Sequence, residues 1–248
     1  MISAQVKVYN DVWHIWNCLN NIYDYFDEIV LIEGAWDSLL EHDIEGYNTR
    51  RSSDGTLDLI GRFLKEVDYG KNKVKYVQLE GTEKYSPPYD TYPMSFWDVT
   101  DCKVGDTSII IDSDEIYSRK DCKKLVDYAN NTDADGLEVW AYNLISADEY
   151  RSDSLAGPMG IGGRIHKFGH FHTDRFFISR EEGTVKTVPD VWCFHYSLYK
   201  PVIHLKYKYA FKPAIKTFWE LQDDKVVFLN DTKVLKYEGD LPEGYTRG

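Results

Sequence analysis

Thr107-Ser108-Ile109-Ile110-Ile111-Asp112-Ser113-Asp114-Glu115 is the stretch on which the reading of this chain turns. A β-branched apolar run ends in three acids within four residues. The run has the length and composition of a buried strand. Its acids then stand at the carboxyl end, where open α/β sheets bind their ligands. Carboxylates this close repel one another unless a cation shares the site. Two of them with one residue between can face a hard divalent ion together and leave positions open for phosphate oxygens. The competing reading is a strand that simply ends in a polar turn.

Upstream of this run, strand and helix patterns alternate. Ala4–Tyr9 reads as a first strand, and Asp11–Phe26 carries Ile15, Trp16, Leu19, Ile22, Tyr23 and Phe26 on a helical stripe. Ile29–Ile32 is a second buried strand with Glu33-Gly34 at its tip. Leu57, Ile60, Leu64 and Val67 mark a helix behind the turn Ser52–Thr56, and Lys73–Leu79 reads as a third strand. Ser86–Pro93 reads as a loop and Met94–Cys102 as a short helix. Ser118 opens another helix, with Asp121 three residues on as a variant capping box. This alternation predicts an α/β domain with a mainly parallel sheet. After about Asp135 the pattern changes. Leu137–Tyr142, Arg164–Phe168, Arg175–Ser179 and Val191–His195 read as short strands, and Gly157–Gly163 as an irregular loop. Lys206–Leu221 reads as helix with a break at Pro213, and the last dozen residues as a loose tail. The chain is therefore read as one continuous domain with two halves, 1–135 and 136–248.

The chain has 248 residues, 43% of them apolar and 28% charged, enough for one α/β domain. Its net charge of −12 disfavours nucleic acid and anionic membrane as partners. A phosphate-bearing ligand then needs a metal or a local basic patch. Cys18, Cys102, Cys122 and Cys193 form no CxxC pair, which argues against a zinc site and for free thiols in a reducing compartment. Lys7, Asp11 and His14 interrupt any signal-peptide core, and no apolar stretch is long enough to cross a bilayer. The expected setting is the cytoplasm. Aromatics reach 15%, with 19 Tyr and 7 Trp, whose faces suit sugar rings as well as cores.

Four pieces in order resemble the GT-A-fold glycosyltransferases, in particular the family-2 type and the family-17-like group. They are Val8-Tyr9-Asn10-Asp11, Asp27–Gly34, Ser53-Asp54-Gly55-Thr56 and Asp112-Ser113-Asp114-Glu115, the last resembling the DxD motif. The likeness spans residues 4–200 and implies a Rossmann-like GT-A domain, its first half binding a nucleotide-sugar and its second the acceptor. The gap between Gly34 and Ser53 is wider than in those families, so Asp54 is as well read as a turn former or cap. The resemblance places Glu33 against the nucleotide base and Asn10 and Asp11 near the nucleoside. It makes Asp112 the first DxD acid, on ribose or metal, and Asp114 the direct ligand of Mn²⁺ or Mg²⁺, with Glu115 beside it as ligand or orienting group. A late histidine completes the metal site in such families, and His195 in Trp192–Ser197 is the candidate, against a buried core histidine. Arg164 resembles the arginine of a strand that places donor phosphate or acceptor.

Other residues are read from the pattern alone. Lys206, Lys208 and Lys212 are either diphosphate contacts or a solvated helix face. His170 and His172 are either a second metal pair or one polar strand face. Inverting transfer also needs a carboxylate to take the acceptor's proton. Asp148, Glu149, Asp174 and Asp190 are the candidates, with Asp190 preferred and Glu149 second. The expected function is metal-dependent transfer from a nucleotide-sugar, in first place a UDP-sugar, to a glycan hydroxyl. A haloacid-dehalogenase-type phosphatase also shows an apolar strand before DxD, but Ile116 stands where that family carries Thr or Val. A nucleotidyltransferase lacks its Gly-rich basic loop here, and a carbohydrate-binding module has no use for the clustered acids.

Overall fold

In the computed structural model, residues 1–35, 40, 44–79, 99–103, 106–152, 159–167, 184–211, 219–223, 225–229 and 233–247 are described, with 152, 159–167, 210 and 211 as backbone only. Four strands lie side by side and parallel in the order β3 (Val74–Gln78), β2 (Glu28–Glu33), β1 (Ile2–Val8) and β4 (Thr107–Asp112). β2 is buried throughout and β1 nearly so, as β-branched strands under covered faces should be. Ile29 through Ile32 are all at 2% exposure or less.

Helix α1 (Ile15–Ile22) packs on α2 (Thr56–Glu66), on α3 (Arg119–Asn131) and on the short strand β5 (Glu115–Tyr117). Its stripe of Ile15, Cys18, Leu19 and Ile22 is buried, each large side chain contributing about 1.5–3 kcal/mol. The helix is shorter than the Asp11–Phe26 stripe, because Asp11–His14 form turns around the tip of β1. α3 begins where the sequence placed it. Ser118 is the N-cap, its Oγ accepting from Asp121 N at 3.1 Å and donating to Asp121 Oδ2 at 2.6 Å.

The sheet continues from β4 with reversed polarity. β6 (Gly136–Leu144) forms a hairpin with β7 (Glu149–Ser152), and β8 (Met159–Lys167) pairs antiparallel with both β4 and β6. β9 (Val185–His195) runs parallel to β6 and antiparallel to β5. α4 (Val202–Phe211) follows, then the hairpin of β10 (Trp219–Gln222) and β11 (Lys225–Phe228), and β12 (Lys233–Lys236) on β7. The observed class is the α/β one expected, a parallel four-stranded sheet flanked by helices with a mixed C-terminal part.

Several local expectations give way to pairing. Gly160, Gly162 and Gly163 lie within β8, where the backbone ladder to β6 decides and composition does not. The helix read at Lys206–Leu221 begins earlier, at Val202, and Trp219–Leu221 are strand. The tail is tied down: Tyr245 stacks on Tyr196 at 4.2 Å and exchanges a 2.7 Å hydrogen bond with His14 Nδ1. Ser86–Pro93, most of Met94–Cys102, and Arg175–Ser179 lie outside the described residues.

Candidate active site

The tips of β1, β2 and β4 end together, and Ser52–Thr56 meet them. Ala35 N donates to Arg50 O at 2.8 Å, which brings Ser52–Thr56 back to the strand ends. Gly34 has φ +133°, and a Cβ there would meet Leu79 Cβ at 3.0 Å and Arg50 O at 3.2 Å. Glycine thus permits both the turn and the close approach. Glu33 is fully buried, with Oε1 accepting from Ser52 N at 2.7 Å and Oε2 from Tyr76 Oη at 3.2 Å. Asn10, at φ +48°, accepts from Ser53 N through Oδ1 and donates through Nδ2 to Gly46 O. Both side chains therefore hold the loop that roofs the strand tips. Asp54 is a turn former, as one sequence reading had it. Its carboxylate accepts from Thr56 N and Oγ1 and from Val12 N.

The acids of the Asp112–Glu115 segment point to different partners. Asp112 pairs with Lys7 on the adjoining strand at 2.9 Å. Glu115 turns back to accept from Asp112 N at 3.0 Å. Asp114 turns toward Asp11. Between these two carboxylates stands the ammonium of Lys200, 3.0 Å from Asp114 Oδ2 and 3.3 Å from Asp11 Oδ1. The Lys200 side chain is only 3% exposed. Ser113 Oγ donates to the other Asp11 oxygen at 2.5 Å. The repulsion expected at the tip is thus relieved by a buried lysine.

Two further groups reach Asp114. Lys208 Nζ lies 4.0 Å from Oδ2, and His195 Nε2 lies 3.7 Å from Oδ1. Burial alone would raise the Asp114 pKa, but Lys200, His195 and Lys208 together hold it well below the usual carboxylate range. Burial likewise works against the Lys200 ammonium, and Asp11 and Asp114 outweigh it and raise its pKa.

His195 Nδ1 lies 2.9 Å from Asn143 Oδ1. With that oxygen as acceptor, Nδ1 donates and the ring is held with Nε2 toward the Asp114 carboxylate. The histidine is thus oriented by a neighbouring amide oxygen, as metal-binding imidazoles are. The donor set of Asp114 and His195 fits a divalent cation. Among the described residues no group of three or more His, Cys, Asp or Glu side chains converges on one point, so solvent or ligand oxygens would complete the shell.

The remaining sequence candidates are scattered. Lys206 is exposed on α4, while Lys208, two residues on, donates to Ser197 O and reaches Asp114. Glu149 is exposed at the start of β7 and accepts from Ser146 Oγ at 3.1 Å. Asp190 is exposed, at φ +54°, in a bulge of β9 five residues before His195, with its carbonyl on Lys124 Nζ. At a strand's rise that separation is about 16 Å. Asp148 is buried at the β6–β7 turn, with Lys236 at 3.6 Å. Arg164 lies in β8 as backbone only, and His170, His172, Asp174 and Lys212 fall outside the described residues. Lys200 and Asn143 were not foreseen. The signal for Lys200 was its place before Pro201, just after the aromatic segment that contains His195.

Beside Lys200 opens a cavity of about 430 Å³, walled by Trp13, His14, Tyr199, Pro201 and Tyr245. Trp13 and Tyr199 are 40% and 43% exposed, so their ring faces are accessible to a ligand.

No protein-family model matches the chain, and no curated protein matches it. Solved structures of Staphylococcus aureus TarS are similar to it. One overlays at a TM-score of 0.48 with 14% identity, covering 78% of this chain and 36% of that one. TarS 1-349 in complex with UDP-GlcNAc overlays at 0.48 with 13% identity, covering 78% of this chain and 57% of the other. The same TarS segment in complex with UDP gives 0.48 and 14%, with 78% and 59% covered. The chain thus spans roughly a third to three fifths of the length of these structures. Among the described residues no helix is long and apolar enough to cross a membrane.

Proposed function

We propose that the chain transfers a sugar from a nucleotide-sugar, in first place a UDP-sugar, to a hydroxyl of a glycan or glycoconjugate acceptor. One observation carries this reading: acids from two strand tips meet Lys200, Lys208 and His195 at the carboxyl edge of a parallel sheet. Asp114 and His195 are the groups that would hold Mn²⁺ or Mg²⁺. When bound, that ion supplies charge neutralisation for the departing diphosphate.

The chain's own residues supply the rest. Lys200 and Lys208 place two fixed positive charges where a diphosphate gains negative charge as the sugar bond breaks. Asn10 and Glu33 hold the roofing loop that forms one wall of a nucleoside site. Trp13 and Tyr199 offer ring faces to a sugar in the adjoining cavity.

Isothermal calorimetry tests the reading. UDP titrated into the chain with Mn²⁺ is expected to bind, and EDTA to abolish the heat. Hydrolysis of p-nitrophenyl phosphate with no response to UDP would replace this reading with the phosphatase one.

A further inference from the structure

Lys200 is hard to explain as an ordinary structural ion pair. Burying an ammonium is costly unless its partners are close and its geometry good. Here the ammonium stands between carboxylates that come from different strand tips, Asp11 after β1 and Asp114 after β4. Asp11 Oδ1 faces the Lys200 ammonium at 3.3 Å, while Asp11 Oδ2 accepts from Ser113 Oγ. His195 Nε2 faces the other oxygen of the same Asp114 carboxylate.

We propose that Lys200 is a placeholder cation, which neutralises Asp11 and Asp114 in the ligand-free chain and yields Asp114 to a divalent ion, a diphosphate then taking up the displaced ammonium. Its first half needs only the cluster; its second half rests on the nucleotide-sugar reading above. Charge balance supplies the reason. Two carboxylates already face two ammonium groups, those of Lys200 and Lys208. A divalent ion arriving alone must displace an ammonium and leaves the site with excess positive charge. A diphosphate arriving with it restores neutrality and gives the displaced ammonium a new anionic partner. Metal alone therefore binds weakly, metal and diphosphate bind cooperatively, and part of that coupling resides in Lys200.

The test follows free Mn²⁺ by electron paramagnetic resonance during titration of the wild-type chain and Lys200→Met, each with and without UDP. Without nucleotide, Lys200→Met is expected to bind Mn²⁺ more tightly by about tenfold, within the usual range of coupling between sites. The enhancement of Mn²⁺ affinity by UDP is expected to shrink in the variant. Equal or weaker nucleotide-free affinity in Lys200→Met overturns the proposal.

Since this variant removes the ammonium that stands between two buried acids and so also bears on folding, a second measurement uses the wild type alone. Brief acetic anhydride labelling, read by peptide mass spectrometry, should leave Lys200 unreactive in EDTA, label it on adding Mn²⁺, and protect it again on adding UDP. Lys200 labelling that ignores Mn²⁺ counts against the exchange. If Mn²⁺ exposes Lys200 but UDP changes nothing in either assay, the exchange stands and the nucleotide reading falls.

Discussion

Asp11 and Asp114 come from the tips of the parallel strands β1 and β4, whereas His195, Lys200 and Lys208 come from β9 and the segment that follows it. The first half contributes acids and the second contributes the groups that face them. Neither half alone makes a stable tip. Two converging carboxylates would repel, and a lysine buried without them would lose its proton. The difference teaches that the candidate site is also a seam that joins the halves, so changes there should reach stability as well as ligand binding. Asp112 offers the contrast. It lies two residues from Asp114, yet its partner Lys7 belongs to the same half, and both side chains are partly exposed, at 30% and 19%.

The largest effect should come from cutting the seam. Asp114→Ala leaves the Lys200 ammonium buried with Asp11 alone, and breaking such a buried pair costs about 3–5 kcal/mol, here toward the lower end because one partner remains. Asp112→Ala removes a partly solvated pair within one half and should cost under about 1 kcal/mol. Urea denaturation of both variants beside the wild type measures the difference. Equal losses would mean that the seam contributes no more than an ordinary surface ion pair.

A smaller effect separates the two roles of the second half. His195→Ala removes a proposed metal ligand, and Asn143→Ala removes the group that orients it. Loss of a metal-site group or of its orienting partner commonly weakens affinity by about 10–100-fold. Mn²⁺ affinity should fall in both, more in His195→Ala, while Lys200 stays paired with both acids. Unchanged Mn²⁺ affinity in His195→Ala would return that imidazole to a structural role at the end of β9.

The two halves were not equally legible in the sequence. β1, β2 and β4 announce themselves because a strand buried on both faces is a continuous β-branched run, and their tips follow from that reading. The place of Asp114 just past a strand tip was therefore legible by position. β8 was misread because the glycines at 160, 162 and 163 suggest a loop, and only the partners on either side, β4 and β6, make them strand. Lys200 was missed for a similar reason. A lysine has no periodicity to betray burial, and what buries it is a pair of acids 189 and 86 residues away in the chain. Glu33 was legible as a strand-tip acid, but its burial under the returning loop depends on Ala35 N meeting Arg50 O, a contact that no local pattern encodes.

Acid sharpens the same comparison in a graded way. His204 on α4 is almost wholly buried against Tyr47, its Nδ1 2.6 Å from the phenol oxygen, and burial, assisted by Lys200 and Lys208, holds its pKa well below the ordinary value. His14 beside Tyr196 and Tyr245 is lowered too, again by burial first. For a base whose folded pKa is depressed, the unfolded chain takes up the proton first. The stability these rings support is complete above about pH 6.5 and declines as the pH falls below it. Glu28, at the start of β2, behaves differently. Burial alone would raise it, but Lys75, Thr100, the Asp101 amide and Ser3 together lower its pKa, so its contribution is lost only at more acid pH, below the ordinary carboxylate value of 4.5. Amide hydrogen exchange at pH 5.5 against pH 7.5 should therefore show α4 and the segment around Tyr245 loosening while β1 and β2 keep their protection. His204→Gln, which retains a polar partner for Tyr47, should flatten that pH dependence in thermal melts. Uniform loosening of both halves over this interval would show that acid enters through the parallel sheet, and would take from His204 and His14 their part in holding the seam closed.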